Sequence, residues 1–325
     1  MYPWLTAPWA LWYEKLLSGR LAHGWLVTGP GGLGQPQFAR EMAAAHLCAH
    51  PAANGPCGLC HSCQLLEHGN HPDLLVLGAE NERSLGVDLI RDLSARLGAT
   101  PQLGAGKVAI IEQAERLTEA AANALLKTLE EPAGRSLIIL LSEVPDRLLA
   151  TIRSRCQRLA LNAPATAVAL QWLRQQPGAE AAEPIHLLLN HGAPLRALEY
   201  LNTGRDPQRK ALFSALADYL AARQKLPALL AALEPVLPYG LDWLYLLLLD
   251  ALKLQTGASM AECRMSDAGS VIGRLSALPT ARLLALVQGL SALRSNEEAF
   301  ATAMPGLHLL NWCRLFYSEV SDVVS

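Results

Sequence analysis

The residues Gly29-Pro30-Gly31-Gly32-Leu33-Gly34-Gln35-Pro36 follow the apolar run Trp25-Leu26-Val27-Thr28 and precede a helical pattern from Gln37 to Leu47. Strand, glycine-rich loop and helix in that order form the frame of a phosphate-binding loop, G-x-x-x-x-G-K-[ST]. In such a loop backbone N–H groups cradle phosphate oxygens, Lys reaches the β- and γ-phosphates, and a hydroxyl ligates Mg²⁺. Gly29 and Gly34 hold the glycine positions, but Gln35 stands in place of Lys and Pro36 in place of Ser or Thr. Gln has no charge to set against a triphosphate, and Pro has neither the hydroxyl nor the backbone N–H. Pro still suits a first helical turn, so the loop keeps its fold and loses its chemistry. The alternative is a glycine-rich turn unrelated to nucleotides.

Cys48, Cys57, Cys60 and Cys63 form C-x8-C-x2-C-x2-C directly after that helix. Two-residue gaps bring thiolates onto adjacent corners of a tetrahedron about 2.3 Å from Zn²⁺, and four thiolates close the shell, so the metal is expected to be structural. The rivals are a redox C-x-x-C pair and a site in which His50, His61 or His68 replaces one Cys. From Cys48 to Pro72 the only basic side chains are histidines, which favours a structural knob or protein contact over a nucleic-acid reader.

Chain length, 325 residues, allows two or three domains. An apolar content of 51% with only 6% aromatic, rich in Leu and Ala, favours helices. The net charge of −2 gives no overall field for nucleic acid. The first residues lack a basic-then-apolar signal layout and Leu244–Leu249 is too short to span a bilayer, so a soluble, cytoplasmic chain with no membrane contact is expected.

Periodicity predicts a helix over Trp9–Leu17 stopped by Gly19, a strand at Leu74–Leu77, and a helix over Val87–Leu97. A Gly/Pro turn then leads to a buried strand at Lys107–Ile111, a helix capped by Thr118 and ended before Pro132, and a second buried strand at Leu137–Leu141. Alternating strands and helices argue for a parallel α/β sheet over residues 1–162. Short helices at Thr166–Gln175, Ile185–Asn190 and Pro194–Leu201 suggest a small helical domain over 163–204. Long apolar helices suggest an all-α domain over 205–325.

Phosphate-loop enzymes carry a second strand ending in Asp-Glu for Mg²⁺ and the attacking water. Here the Lys107–Ile111 strand ends in Glu112-Gln113, either a degraded remnant of that pair or ordinary polar residues. Arg147, Arg153, Arg155 and Arg158 follow the second buried strand. Such a group is a solvated face, or it projects a guanidinium into a neighbour's phosphate site.

Ala121-Ala122-Asn123-Ala124-Leu125-Leu126-Lys127-Thr128-Leu129-Glu130-Glu131-Pro132, followed by Ser154-Arg155-Cys156, resembles the clamp-loader branch of AAA+ proteins. The altered loop and the four-cysteine insert narrow the resemblance to its delta prime family in bacterial DNA polymerase III. The resemblance implies an AAA+ domain, a helical lid and a collar domain in a five-subunit ring with gamma/tau and delta subunits. That ring loads the sliding clamp onto primed DNA, and the delta prime member is its stator, without ATP hydrolysis of its own. It further implies that Arg155 completes the ATP site of the adjacent gamma/tau subunit, and that Arg196 falls where ATP-binding relatives carry a lid arginine. With Gln35 and Pro36 present, the purpose of Arg196 is open. An active P-loop ATPase is disfavoured by Gln35 and Pro36, and a free-standing zinc-dependent nucleic-acid binder by the lack of a basic stripe.

Overall fold

A computed structural model describes residues 1–78, 84–103, 106–295 and 305–317. The chain forms two compact units, Met1–Trp172 with Asn190–Arg196, and Leu173–Leu189 with Ala197–Ser325. Part of the expected turn before Lys107 (104–105) and parts of the expected C-terminal helical region (296–304 and 318–325) lie outside the described residues.

The first unit is built on five parallel strands, β1 (Gly24–Thr28), β2 (Leu74–Leu77), β3 (Lys107–Ile111), β4 (Ser136–Ser142) and β5 (Gln157–Ala160), in the order β2-β3-β4-β1-β5. β1, β3 and β4 are buried at every position, as strands covered on both faces must be. Trp25, Val27, Val108, Ile110, Ile139 and Leu141 face a core shared with α1 (Thr6–Leu17) and α2 (Gln35–Leu47). The alternate residues Leu26, Ala109, Ile111, Ile138 and Leu140 face a second core. Beyond α3 (His61–Glu67), that core is completed by α4 (Val87–Gly98), α5 (Glu119–Glu130) and α6 (Ala150–Arg153). The α/β expectation for this region therefore holds.

Thr118 caps α5 as expected, its Oγ1 accepting the Ala121 N–H at 3.2 Å. Helix α2 begins at Gln35, two residues earlier than periodicity indicates, because Gly34 adopts φ +90° at the N-cap and Pro36 fits the first turn. β5 was not anticipated, since only Leu159 of its four residues is buried. Helix α3, inside the cysteine-rich insert, is likewise an addition.

After α7 (Thr166–Leu173), the described residues of the second unit are helical or irregular. The helices are α8 (Pro184–Leu189), the latter part of α9 (Pro194–Asn202), α10 (Arg205–Ala221), α11 (Leu226–Leu233), α12 (Tyr239–Gln255), α13 (Gly269–Ser276), α14 (Thr280–Ser295) and α15 (Pro305–Arg314). Their core includes Leu212, Leu216, Leu247, Ile272, Leu286 and Trp312. Arg209, wholly buried in α10, is compensated by Asp206 at 2.9 Å, by Asp267 and by the Tyr200 hydroxyl at 3.2 Å. Among the described residues no single helix is long and apolar enough to cross a membrane.

Candidate functional site

The C-terminal ends of β1, β3 and β4 converge where ligands of open parallel sheets usually bind. They deliver the Gly29–Gln35 loop, the segment Glu112–Glu115, and Glu143. Between them lies a cleft of about 160 Å³ lined by Gly31, Gly32, Gln35, Glu112, Glu115 and Glu143, with Pro36 and Gln113 also on its wall. Glu112 faces Arg40 across 3.9 Å, and Gln113 turns the chain at φ 52°. Ser142 Oγ and Glu115 Oε2, both on the wall, are buried without a hydrogen-bond partner.

Side chains of the same chain contact the loop. Gln35, 5% exposed, turns its amide back and donates to the Gly29 and Pro30 carbonyls at 3.0 and 2.7 Å. Arg196, at the start of α9, pairs with Glu143 at 2.8 Å, and the neighbouring Leu195 N–H donates to the Gly32 carbonyl at 3.1 Å. A Cβ on Gly32 would sit 2.5 Å from Arg196 Cγ and 2.9 Å from its backbone nitrogen, and a Cβ on Gly31 would collide with the tips of Glu143 and Arg196. The glycines thus make room for a side-chain ion pair against the loop. Glu143, missed from the sequence, follows a buried strand just as Glu112 does, and that shared position was the available signal.

Arg155 lies away from this group of residues. Its guanidinium pairs with Glu130 at the end of α5 and donates to the Thr151 carbonyl at 3.0 Å, with the side chain about 36% exposed. Burial pushes the adjacent Cys156 thiol up to about 12, marking it as a structural anchor. Of the other arginines, Arg153 pairs with Asp146 at 2.9 Å and Arg158 approaches Thr28 Oγ1 at 3.4 Å.

Cys48, Cys57, Cys60 and Cys63 place all four Sγ atoms within 4.8 Å of one another. The Cys48–Cys60 and Cys57–Cys63 separations of 3.9 and 4.0 Å match the edge of roughly 3.8 Å expected for a tetrahedron with 2.3 Å metal–sulfur bonds. Among the described residues no histidine joins this group. The N–H of Cys57 points at Cys48 Sγ and that of Cys60 at Cys57 Sγ, both at 3.3 Å. Burial opposes ionisation of Cys60, but backbone donors from Cys63 and Ala49 with the neighbouring thiols bring it down to about 6. Burial, with the Cys60 thiol, holds Cys63 up to about 12. The insert is tied to the body by Tyr13 Oη to the carbonyls of Ala52 and Gly55, Trp9 Nε1 to the Asn54 carbonyl at 3.2 Å, and His71 to Ser62 at 3.1 Å.

The family described as "DNA polymerase III, delta subunit" matches residues 5–165, and "DNA polymerase III, delta subunit, C terminal" matches residues 203–316. The DNA polymerase III subunit delta' of Pseudomonas aeruginosa is 41% identical over 249 residues, covering 75% of this chain and 74% of the relative. The chain belongs to the DNA polymerase III delta' family. The Escherichia coli delta' subunit is 38% identical over 265 residues, covering 79% of this chain and 78% of that one. DNA polymerase III subunit tau of Bacillus subtilis is 37% identical over 145 residues, 45% of this chain and 25% of the relative.

In this delta' family member the loop glycines are required by different atoms. Gly32→Ala meets the backbone of Arg196 and carries φ +85°, so it should destabilise the first unit by about 1–3 kcal/mol. Gly31→Ala meets only the movable ends of Glu143 and Arg196 and should cost less. Urea titration of both variants checks this ranking, and equal losses would contradict it.

Proposed function

We propose that this delta' subunit acts as a non-hydrolysing stator of the clamp-loader ring, supplying Arg155 to the ATP site of an adjacent gamma/tau subunit while the sliding clamp is loaded onto primed DNA. The observation that carries this reading is the altered loop, in which Gln35 turns its amide onto the Gly29 and Pro30 carbonyls and the Arg196–Glu143 pair lies against Gly31 and Gly32. A chain without the loop Lys and the magnesium-ligating hydroxyl has little means to polarise a γ-phosphate. The surface arginine at Ser154-Arg155-Cys156 is the chemistry that remains available. The likeness of 145 residues of this chain to a tau subunit supports a ring of related neighbours.

The proposed division is an AAA+ domain over 1–162, a lid over 163–204 and a collar over 205–325, with the complex working in the cytoplasm alongside gamma/tau and delta. Cys48, Cys57, Cys60 and Cys63 would hold one structural Zn²⁺ that organises residues 48–63 and takes no part in chemistry.

Rings reconstituted with Arg155→Ala should assemble normally but load clamps poorly, because a finger in trans is worth about 10³–10⁵ in rate at one site. Arg155→Lys should rescue little, since an ammonium lacks the forked planar donors. Wild-type loading by intact Arg155→Ala rings would refute the finger. Separately, anaerobically prepared protein should contain one zinc per chain and Cys60→Ser should lose it; metal analysis that finds none removes the zinc assignment.

A further inference from the structure

We propose that Glu130 is a positioning residue for Arg155, holding its guanidinium in a fixed, outward-facing fork before a neighbouring phosphate arrives. This deepens the finger reading above and rests on it.

Both partners stand on immobile backbone. Glu130 is the last residue of α5, directly after Leu129, which is 1% exposed in the sheet-side core. The Leu129 carbonyl is in turn met by His23 Nε2 at 2.6 Å. Arg155 is followed by buried Cys156, and its own N–H donates to the Ile152 carbonyl at 3.0 Å. Gly24 at the start of β1 packs against the two segments together. A Cβ there would lie 3.1 Å from the Leu129 side chain, 3.3 Å from the Arg155 carbonyl and 3.4 Å from Cys156 Sγ. The Cα positions of Glu130 and Arg155 are therefore set by the core, and the long arginine side chain is what remains to be ordered.

Two contacts order it. One terminal nitrogen of Arg155 pairs with Glu130 and the other donates to the Thr151 carbonyl. A guanidinium carries five N–H donors, so these contacts leave donors for a phosphate oxygen on the side chain's exposed face. Free arginine side chains lose substantial rotamer entropy when they bind, and a partner that restrains the fork beforehand reduces that loss at the transition state. The pair is half in solvent, with side-chain exposures of 36% and 49%. Exposed pairs of this kind are weak, so Glu130 restrains Arg155 without withholding it from a phosphate.

The test uses complete rings in which only the ATP site beside this chain is competent. Single-turnover and steady-state hydrolysis are measured for wild type, Glu130→Ala, Glu130→Gln, Arg155→Ala and the double variant Glu130→Ala/Arg155→Ala. Glu130→Ala should lower kcat about two- to fivefold, the scale of an exposed ion pair, with KM nearly unchanged because the neighbour's own loop binds the ATP. Glu130→Gln, which keeps a carbonyl acceptor, should recover part of the rate. In the Arg155→Ala background, Glu130→Ala should add nothing. If Arg155→Ala slows hydrolysis while Glu130→Ala leaves kcat unchanged or raises it, the positioning role is wrong and the finger stands. An additive double variant, or a loss in KM alone, also overturns it. If Arg155→Ala itself has the wild-type rate, the finger reading falls and the role of Glu130 falls with it.

Discussion

The Arg196–Glu143 pair lies against the backbone of Gly31 and Gly32. By itself the pair is weak, since both side chains are about two-fifths exposed and such pairs contribute about 0–1 kcal/mol. It is held by backbone instead. The Leu195 N–H donates to the Gly32 carbonyl and Ala193 is fully buried in the core with α1 and α2. Gln35 completes the arrangement, because its neutral amide satisfies two loop carbonyls at a position only 5% exposed. The loop and its altered residue are therefore consistent with each other: the glutamine amide closes onto the loop's own carbonyls instead of reaching outward.

Helix α5 separates this loop chemistry from the arginine that replaces it in the proposed function. Its N-terminus, capped by Thr118, follows the Glu112–Glu115 wall of the cleft, and its C-terminus carries Glu130 beside Arg155. A helix of twelve residues spans about 18 Å, which sets the two groups well apart. The cysteine insert is independent again, leaving the sheet after α2 and rejoining it at β2 while Tyr13, Trp9 and His71 brace it.

Much of this was legible in the sequence because it depends on local rules. The Gly29–Pro36 loop, the Thr118 cap, the fully buried β3 and β4 and the four-cysteine spacing each have a short-range signature. What was not legible depends on contacts distant in the chain. β5 shows a single inward residue, Leu159, and is defined by its pairing with β1 more than a hundred residues earlier. Glu143 follows a buried strand and Glu130 lies in the stretch that carries the family resemblance, but their partners, Arg196 and Arg155, are seen only in the fold. Arg196, whose purpose is open from sequence alone, pairs in the structure with Glu143 of the same chain.

Phosphate release by the purified chain with Mg²⁺ and ATP tests most directly the proposal that the loop region is chemically silent. Measured at steady state beside Gln35→Ala, with a matched blank, both proteins should release phosphate at the blank rate. Release above the blank by the wild-type chain, abolished by Gln35→Ala, would show that the loop still does chemistry and would contradict the account.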